Sequence, residues 1–139
     1  MNMFEQLLPM TTSFELLHQE ITETQLFFYY QSRSQSAYCP KCQKVSTQKH
    51  SQTKRKIRDL PISEKEVFLL VRLHKWFCQN ASCPTKIFTE TIEAAPAYQR
   101  NTLRVTACLR QLAFQSNCVQ AAKLSKQLSL PVSHDTLLR

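Results

Sequence analysis

The clearest pattern in the chain is a period-two alternation from Val67 to Phe77, in the run VFLLVRLHKWF. Its odd positions are apolar almost throughout, whereas its even positions begin apolar and become cationic near Arg72. Because the side chains of a strand point alternately to its two faces, this pattern predicts a long β-strand with one buried face. The strand leads directly into Cys78.

The first third of the chain also contains strand-forming residues. The aromatic run QLFFYYQSR, residues 25–33, predicts a strand. FELLHQEI, residues 14–21, fits either its hairpin partner or a short helix, and we favour the strand. Residues 4–8 predict a single helical turn that stops near Pro9.

From Gln99 onward the apolar residues recur at helical spacing. Two such stretches follow one another, and the sequence LPV then interrupts the pattern. SHDTLLR restarts it, with Ser133 as the N-cap. The sequence therefore predicts three short helices. Residues 117–139 fit a helix-turn-helix, in which Ala121 and Ala122 allow close packing, but two generic packed helices would have a similar pattern.

Four cysteines form two close pairs, Cys39 with Cys42 and Cys78 with Cys83. Each pair offers two thiolates from one tight turn, and two such turns supply the four tetrahedral ligands that structural zinc requires. Strands flanking each turn would make this a zinc ribbon, in which Zn²⁺ supplies much of the folding energy of a small β domain. The remaining two cysteines fall in predicted helices, where we expect ordinary buried residues.

Other chemistries of paired cysteines are less consistent with the sequence. A redox CxxC normally opens a helix after a strand, and a disulfide framework suits a secreted chain. An iron–sulfur cluster also uses four cysteines, but the two-pair spacing favours zinc. His50 and His74 are the competing ligands, and we expect each to have a polar or phosphate-facing role instead.

The predicted fold class is α+β, with a β-rich zinc ribbon followed by a short helical tail that resembles a helix-turn-helix. The expected domains are a zinc-ribbon domain with an N-terminal β extension at residues 1–95 and a helical segment at residues 96–139. We expect the second segment to be truncated, because Arg139 falls inside the third predicted helix.

The formal charge of +8 is unevenly distributed along the chain. Residues 1–32 contain four acids and neither Lys nor Arg, whereas residues 33–75 contain eleven Lys or Arg and three acids. A basic block of this kind suits a polyanion, most often nucleic acid, and the alternative is a solvated surface that keeps the protein soluble. The candidate phosphate contacts are Lys49, His50, Lys54, Arg55, Lys56, Arg58, Arg72 and Lys75.

The chain contains no glycine, which excludes the glycine-rich phosphate loops of nucleotide-binding enzymes. Tight turns must therefore be formed by Asn, Asp, Ser or Pro. The sequence has no apolar run near 18 residues, and its start lacks the basic and small-residue features of a signal peptide. These features predict a cytoplasmic protein without a membrane partner.

The combined motifs resemble the N-terminal region of ISL-three-type bacterial insertion-sequence transposases. The likeness is carried by YCPKC, RKIRDLPI, HKWFCQNASCPTKIFTE, RVTACLRQLAFQ and LPVSHDTLLR, which together span about residues 38–139. The resemblance implies a zinc-binding domain followed by a helix-turn-helix, with double-stranded DNA at the terminal inverted repeats of the element as the partner. It also implies a nucleoid-associated bacterial protein, and the zinc ligands carry over to Cys39, Cys42, Cys78 and Cys83.

Two departures from the family pattern affect the prediction. Family members commonly have glycine after the second cysteine, where this chain has Gln43. The catalytic domain of the family, with its three acidic metal ligands, comes later, and no such triad can be placed among the ten scattered acids of this chain. We therefore predict no catalytic residues and no enzymatic activity for this chain.

The predicted function is DNA binding without catalysis, as the N-terminal portion of a transposase. The basic segment at residues 44–58 would hold phosphates together with Arg72 and Lys75. Ser133, His134 and Arg139 of the tail would take part in base readout. A homo-oligomer or a full-length transposase is a further partner. The alternatives are an RNA- or ribosome-associated zinc ribbon and a protein-interaction module that docks through LFFYY and FLLV.

Overall fold

A computed structural model describes residues 3–137 of the chain. It contains seven strands and four helices within that range. In chain order these are α1 (Met3–Leu7), β1 (Phe14–Ile21), β2 (Gln25–Ser32), β3 (Ala37–Tyr38), β4 (Val45–Ser46), β5 (Lys49–Ile62), β6 (Lys65–Phe77), β7 (Ile87–Thr89), α2 (Leu103–Gln115), α3 (Cys118–Gln127) and α4 (His134–Leu137). The predicted α+β class is confirmed, as are the strands at residues 14–21 and 25–32.

The main sheet has the strand order β1-β2-β6-β5. Strand β2 runs parallel to β6, whereas β1 with β2 and β5 with β6 are antiparallel pairs. Strand β7 pairs with the last three residues of β6, beyond the end of β2. The long β5–β6 hairpin is therefore the central element of the fold, and the remaining strands and helices are arranged along it.

The basic segment of the sequence belongs mainly to β5 and is not a loop. Its backbone pairs with β6 from Lys49 to Ile62, with irregular register near residue 50 and residues 60–61. The turn lies at Ser63 and Glu64, two residues after the proline that suggested it, and both turn residues have positive φ, 49° and 65°. A two-residue hairpin turn of type I′, which matches the strand twist, needs positive φ at both positions, and this chain achieves it without glycine.

The predicted buried face of β6 is confirmed, because Val67, Leu69, Val71 and Leu73 are fully buried. They form one core cluster with Phe28 and residues of the segments that cover this inner face of the sheet. The covering residues include Leu8, Ile92 and Ala95. Each fully buried aliphatic side chain of this kind contributes about 1.5–3 kcal/mol to folding.

The three predicted C-terminal helices are present, and each begins at a polar cap. Thr102, Asn117 and Ser133 accept hydrogen bonds from the backbone N–H three residues later, at 3.4, 2.8 and 3.3 Å. We call residues 103–137 the helical tail. Its core is formed by Val105, Leu109 and Leu130, which pack with Leu60 of β5. Among residues 3–137, every helix is too short or too polar to traverse a lipid bilayer.

A buried ion pair fastens the helical tail to β5. The carboxylate of Asp59, whose side chain is 0% exposed, accepts hydrogen bonds from Thr102 Oγ1 at 2.9 Å and from Arg104 Nε at 2.7 Å, and Arg104 Nη2 donates to its second oxygen. These bonds satisfy a charge that would be costly to bury alone, and they raise the pKa of Arg104. We refer to these three residues as the Asp59 cluster.

Candidate metal centre and nucleic-acid interface

The first cysteine pair lies in a tight knuckle between β3 and β4. The backbone N–H of Gln43 donates to the carbonyl of Cys39 at 2.9 Å, and the N–H of Cys39 donates to the carbonyl of Lys44 at 3.0 Å. Gln43 has φ of 62°, in the left-handed region that favours glycine. A residue other than glycine therefore adopts this conformation at the position where the resembled family commonly has glycine, and Gln43 Nε2 donates to the carbonyl of Pro40 at 3.2 Å.

The second cysteine pair follows the end of β6 and precedes β7. The N–H of Cys78 donates to the carbonyl of Lys86 at 2.8 Å, and the N–H of Cys83 donates to the carbonyl of Asn80 at 3.1 Å. The side chain of Asn80 accepts a further bond from the N–H of Ser82 at 3.1 Å. These bonds turn the chain so that both thiols face the first knuckle.

The four sulfurs form one compact group. All four Sγ atoms lie within 4.8 Å of one another, with Cys39 Sγ 3.9 Å from Cys83 Sγ and Cys42 Sγ 3.7 Å from Cys78 Sγ. A tetrahedron of sulfurs at about 2.3 Å from zinc has S–S separations of about 3.8 Å. The arrangement therefore has the dimensions of a closed, structural zinc site with four thiolate ligands.

The surroundings favour thiolate at one knuckle. The backbone N–H of Lys44 lowers the pKa of Cys42 to about 6 against the opposing effect of burial. Hydrogen bonds from the backbone N–H groups of Cys42 and Lys41 lower the pKa of Cys39. Although the N–H of Asn80 favours thiolate at Cys78, burial and the neighbouring sulfurs raise its pKa to about 12. Four sulfurs this close repel one another as thiolates, and a bound divalent cation removes that repulsion.

Residues 35–83 match the family model described as the zinc-finger of transposase IS204/IS1001/IS1096/IS1165. This segment is similar to a transposase-type zinc ribbon. The match supports the resemblance inferred from the motifs, and together with the four sulfurs it fits a structural zinc ion held by Cys39, Cys42, Cys78 and Cys83. The matched residues include both cysteine pairs and the β5–β6 hairpin, whereas the β1–β2 hairpin and the helical tail lie outside them. No curated protein and no solved structure matches the chain.

An aromatic cluster packs against the cysteines of the zinc-ribbon-like segment. Trp76 and Phe88, cross-strand neighbours on β6 and β7, are buried with Cys39 in a cluster separate from the main core. Lys49 Nζ lies 5.6 Å from the Trp76 ring centroid, and the His74 ring meets the same indole edge-on at 5.8 Å. After Leu73 the buried side chains of β6 lie on the other face of the strand, at His74 and Trp76. The zinc ribbon covers this end of the face that is exposed at Arg72.

The two histidines that compete for metal have other contacts. His74 is buried, and its backbone N–H donates to Glu90 Oε1 at 2.7 Å. His50 Nδ1 lies 2.7 Å from Ser51 Oγ, and its ring packs edge-on against Phe77 at 4.9 Å. Among the side chains that the structure describes, the metal-binding group consists of the four cysteines alone.

We call the side of the sheet opposite the main core the outer face. Three cross-strand pairs place basic and apolar side chains on it: Lys54 with Arg72, Lys56 with Leu70, and Arg58 with Phe68. Lys54, Lys56 and Arg72 are exposed. Lys56 Nζ lies 4.5 Å from the centroid of the Phe68 ring, which itself stacks on Phe27 of β2 at 5.6 Å.

Not all of the sequence-predicted basic contacts lie on this face. Arg55 belongs to the opposite side of β5, where its guanidinium donates to the carbonyls of Ala95, Pro96 and Gln99 at 3.2, 2.8 and 2.8 Å. Burial lowers the pKa of Arg55. Its guanidinium therefore fastens the covering segment to the sheet and lies on the side away from the outer face.

Arg58 also bonds within the protein, although it lies on the outer face. Its Nε donates to Asn101 Oδ1 at 3.1 Å, and Nη1 donates to the carbonyl of Pro131. The other predicted contacts are distributed along the hairpin: Lys49 and His50 lie beside the zinc ribbon, and Lys75 is half-buried between Ser51 and Thr89.

At the helical tail, Ser133 is exposed and caps α4. The side chain of His134 and the whole of Arg139 lie outside the described part of the chain. The sequence interpretation missed Arg100 and Asn101, which lie beside β5 through the pairing of Asn101 with Arg58. No local pattern marks them, because their positions depend on a contact 43 residues away in sequence.

Proposed function

We propose that this chain is a DNA-binding N-terminal region of a transposase that acts without catalytic residues of its own. The proposal is supported first by the match of residues 35–83 to a transposase zinc-finger family. In this proposal residues 1–95 form the zinc-ribbon domain with its β extension, and residues 96–139 form the helix-turn-helix-like domain. The protein would act at the nucleoid on the terminal inverted repeats of its element.

The observation that carries the proposal is the basic outer face of the β5–β6 hairpin, between the zinc ribbon and the helical tail. Lys54, Lys56 and Arg72 are exposed there and form no ion pair among the described residues. Cations of this kind contact phosphates and set affinity without reading sequence. Base readout belongs to the tail, where Ser133, Asp135 and Thr136 are exposed around the start of α4.

The interpretation as a protein-docking module has less structural support. In the run LFFYY, the side chains of Leu26, Phe28 and Tyr30 are buried in the main core. In FLLV, Leu69 and Val71 are buried in the same cluster. Half or more of each proposed docking surface is therefore used to hold the sheet together.

The test measures fluorescence anisotropy of zinc-loaded protein with labelled inverted-repeat duplex. We expect the affinity to fall steeply between about 50 and 200 mM salt, because each phosphate contact contributes about −0.9 to the slope of log K against log salt. The triple variant K54Q/K56Q/R72Q should lose at least half of that slope. Binding that is insensitive to salt, or a stronger preference for structured RNA than for the duplex, would contradict the proposal.

A further inference from the structure

A cleft of about 420 Å³ lies where the outer face of the sheet meets the helical tail. Three cations line it, against one carboxylate, that of Glu66. The cations are Lys56 and Arg58 of β5 and Arg100 of the segment before α2. The opposite wall is the turn that precedes α4, so the cleft is formed jointly by the sheet and the tail.

The three cations differ in how they are engaged. Arg58 bonds to Asn101 and Pro131 and forms part of the wall. Lys56 and Arg100 are exposed, and within residues 3–137 neither forms an ion pair. Lys56 is further oriented by the Phe68 ring, which also lines the cleft. Two charges without a carboxylate partner are thus available to a ligand.

The tail side of the cleft supplies a hydroxyl donor. Ser133 and Thr136 both line the cleft, and their hydroxyl oxygens lie 2.9 Å apart, with one hydroxyl donating to the other. The accepting hydroxyl keeps its own proton, which can be donated to a ligand oxygen. Two cations and an O–H donor around one concavity suit a tetrahedral anion whose oxygens accept hydrogen bonds.

The two walls of the cleft are fixed relative to each other by several side-chain bonds. The Asp59 cluster joins β5 to the start of α2. Arg58 joins β5 to the turn before α4, and Ser129 Oγ donates to the carbonyl of Glu64 in the hairpin turn at 2.8 Å. An anion in the cleft is therefore held at a set position relative to α4.

We propose that this cleft binds one backbone phosphodiester of the DNA contacted by the tail, with Lys56 and Arg100 as its cationic ligands. The proposal rests on the DNA-binding function proposed above, and it adds Arg100 and a defined phosphate position to it. The contact sets how α4 is placed on the duplex, because the cleft and the helix share one rigid framework. Free inorganic phosphate has the same chemistry, so the test includes it as a separate ligand.

The test compares two double variants of the zinc-loaded chain that each lose two positive charges. K56Q/R100Q removes the two free cations of the cleft, and K86Q/R110Q removes two exposed cations elsewhere. Each is titrated with a labelled duplex of about 25 base pairs between about 50 and 200 mM salt. We expect K56Q/R100Q to bind roughly tenfold more weakly at about 50 mM and to lose about 1 from the magnitude of the salt slope, as one phosphate contact requires.

The control K86Q/R110Q should bind the duplex only slightly more weakly than the wild type, because it loses the long-range attraction of two charges and no phosphate contact. Circular dichroism and zinc content should be the same for both variants, because all four residues are exposed. Equal losses in the two variants, or displacement of the duplex by about 10 mM inorganic phosphate at matched ionic strength, would overturn the cleft assignment while leaving DNA binding intact. A wild-type chain that binds no duplex at about 50 mM salt would instead overturn the proposed function.

Discussion

The two ends of the β5–β6 hairpin are stabilised in different ways. At the zinc end, the separate cluster contains three buried residues, Cys39, Trp76 and Phe88, and the four thiols have the spacing of a metal site. At the tail end, three helices bury Val105, Leu109 and Leu130 and share a buried ion pair with the sheet. The comparison shows how one sheet can support a metal-dependent region and a conventionally packed region side by side.

Metal removal should separate the two ends most clearly. Structural zinc contributes about 10–16 kcal/mol to the folding of small zinc domains, and little apolar burial replaces it at the zinc end. We expect chelation, or the variant C83S, to disorder residues 37–48 and 78–89 while the helical tail stays folded. Because Trp76 is the single tryptophan and lies in the zinc cluster, its emission should shift to the red.

The matched control for this experiment is C108S, which removes a half-buried cysteine outside the metal group. Its zinc content and Trp76 emission should equal those of the wild type. Metal-free protein with unchanged emission and unchanged amide exchange near Cys83 would show that the zinc end folds without metal, and the contrast between the two ends would be lost.

Breaking the Asp59 cluster should destabilise the helical tail and leave the zinc end unchanged. The variant D59A leaves the Arg104 guanidinium and the Thr102 hydroxyl without their acceptor, and we expect a loss of about 3 kcal/mol in the free energy of unfolding. That value is at the lower end for buried pairs because the Arg104 side chain is 41% exposed. Urea denaturation followed by helical circular dichroism measures the loss, and the zinc affinity should not change. The exposed-acid variant E93Q should be neutral, and a D59A protein that loses zinc while keeping its helices would contradict the assignment.

A substitution at Gln43 should have a smaller effect, which is tighter zinc binding at the zinc end alone. Gln43 carries φ of 62°, so Q43G should relieve about 0.5–1 kcal/mol of backbone strain in the folded knuckle. We expect tighter zinc binding in a competition with a chromogenic chelator, by about two- to fivefold. Q43A keeps the strain and loses the side-chain bond to Pro40, so it should show no gain. Equal behaviour of the two variants would mean that the left-handed backbone costs nothing here.

The smallest expected effect concerns the Lys49 ammonium beside the Trp76 indole. At 5.6 Å from the centroid this cation–π contact is worth about 0.5 kcal/mol at an exposed site. K49M keeps the aliphatic stem and removes the charge, so the zinc-loaded protein should lose about that much stability by thermal denaturation. K44M, at another exposed lysine of the zinc ribbon, serves as the comparison. If the two variants melt at the same temperature, the contact does not stabilise the zinc end.

The sequence was sufficient to predict the features that depend on local periodicity and residue chemistry. The alternation of Val67 to Leu73 predicted a buried strand face, and the cysteine spacing predicted two knuckles that meet. Capping by Ser133 followed from residue type and position. A few neighbouring side chains determine the strand face and the cap, whereas the meeting of the two knuckles follows from the four-ligand chemistry of zinc.

Features that depend on distant residues could not be predicted in this way. The basic segment forms β5 because β6 pairs with it in antiparallel orientation along its full length. The polar composition of the segment does not indicate this pairing. Arg55 was assigned to phosphate by its charge, whereas the structure places it on the inner side of β5 against three carbonyls 40 to 44 residues away. The burial of His74 and Trp76 likewise depends on where the zinc ribbon lies.

The length of the β5–β6 hairpin has a consequence for any DNA that contacts both of its ends. The cleft beside α4 is lined by Lys56 and Arg58, which lie seven and nine residues along β5 from Lys49. At about 3.3 Å per residue that separation is roughly 23–30 Å, less than the roughly 34–36 Å rise of one turn of B-form duplex. A straight duplex lying along the hairpin would therefore present grooves of different phase to Lys49 and to α4. Inserting residues in pairs on both strands would preserve the facing of the lysines and advance the far end by about two base pairs, so in the proposed complex the length of the hairpin would set the spacing between the two DNA contacts.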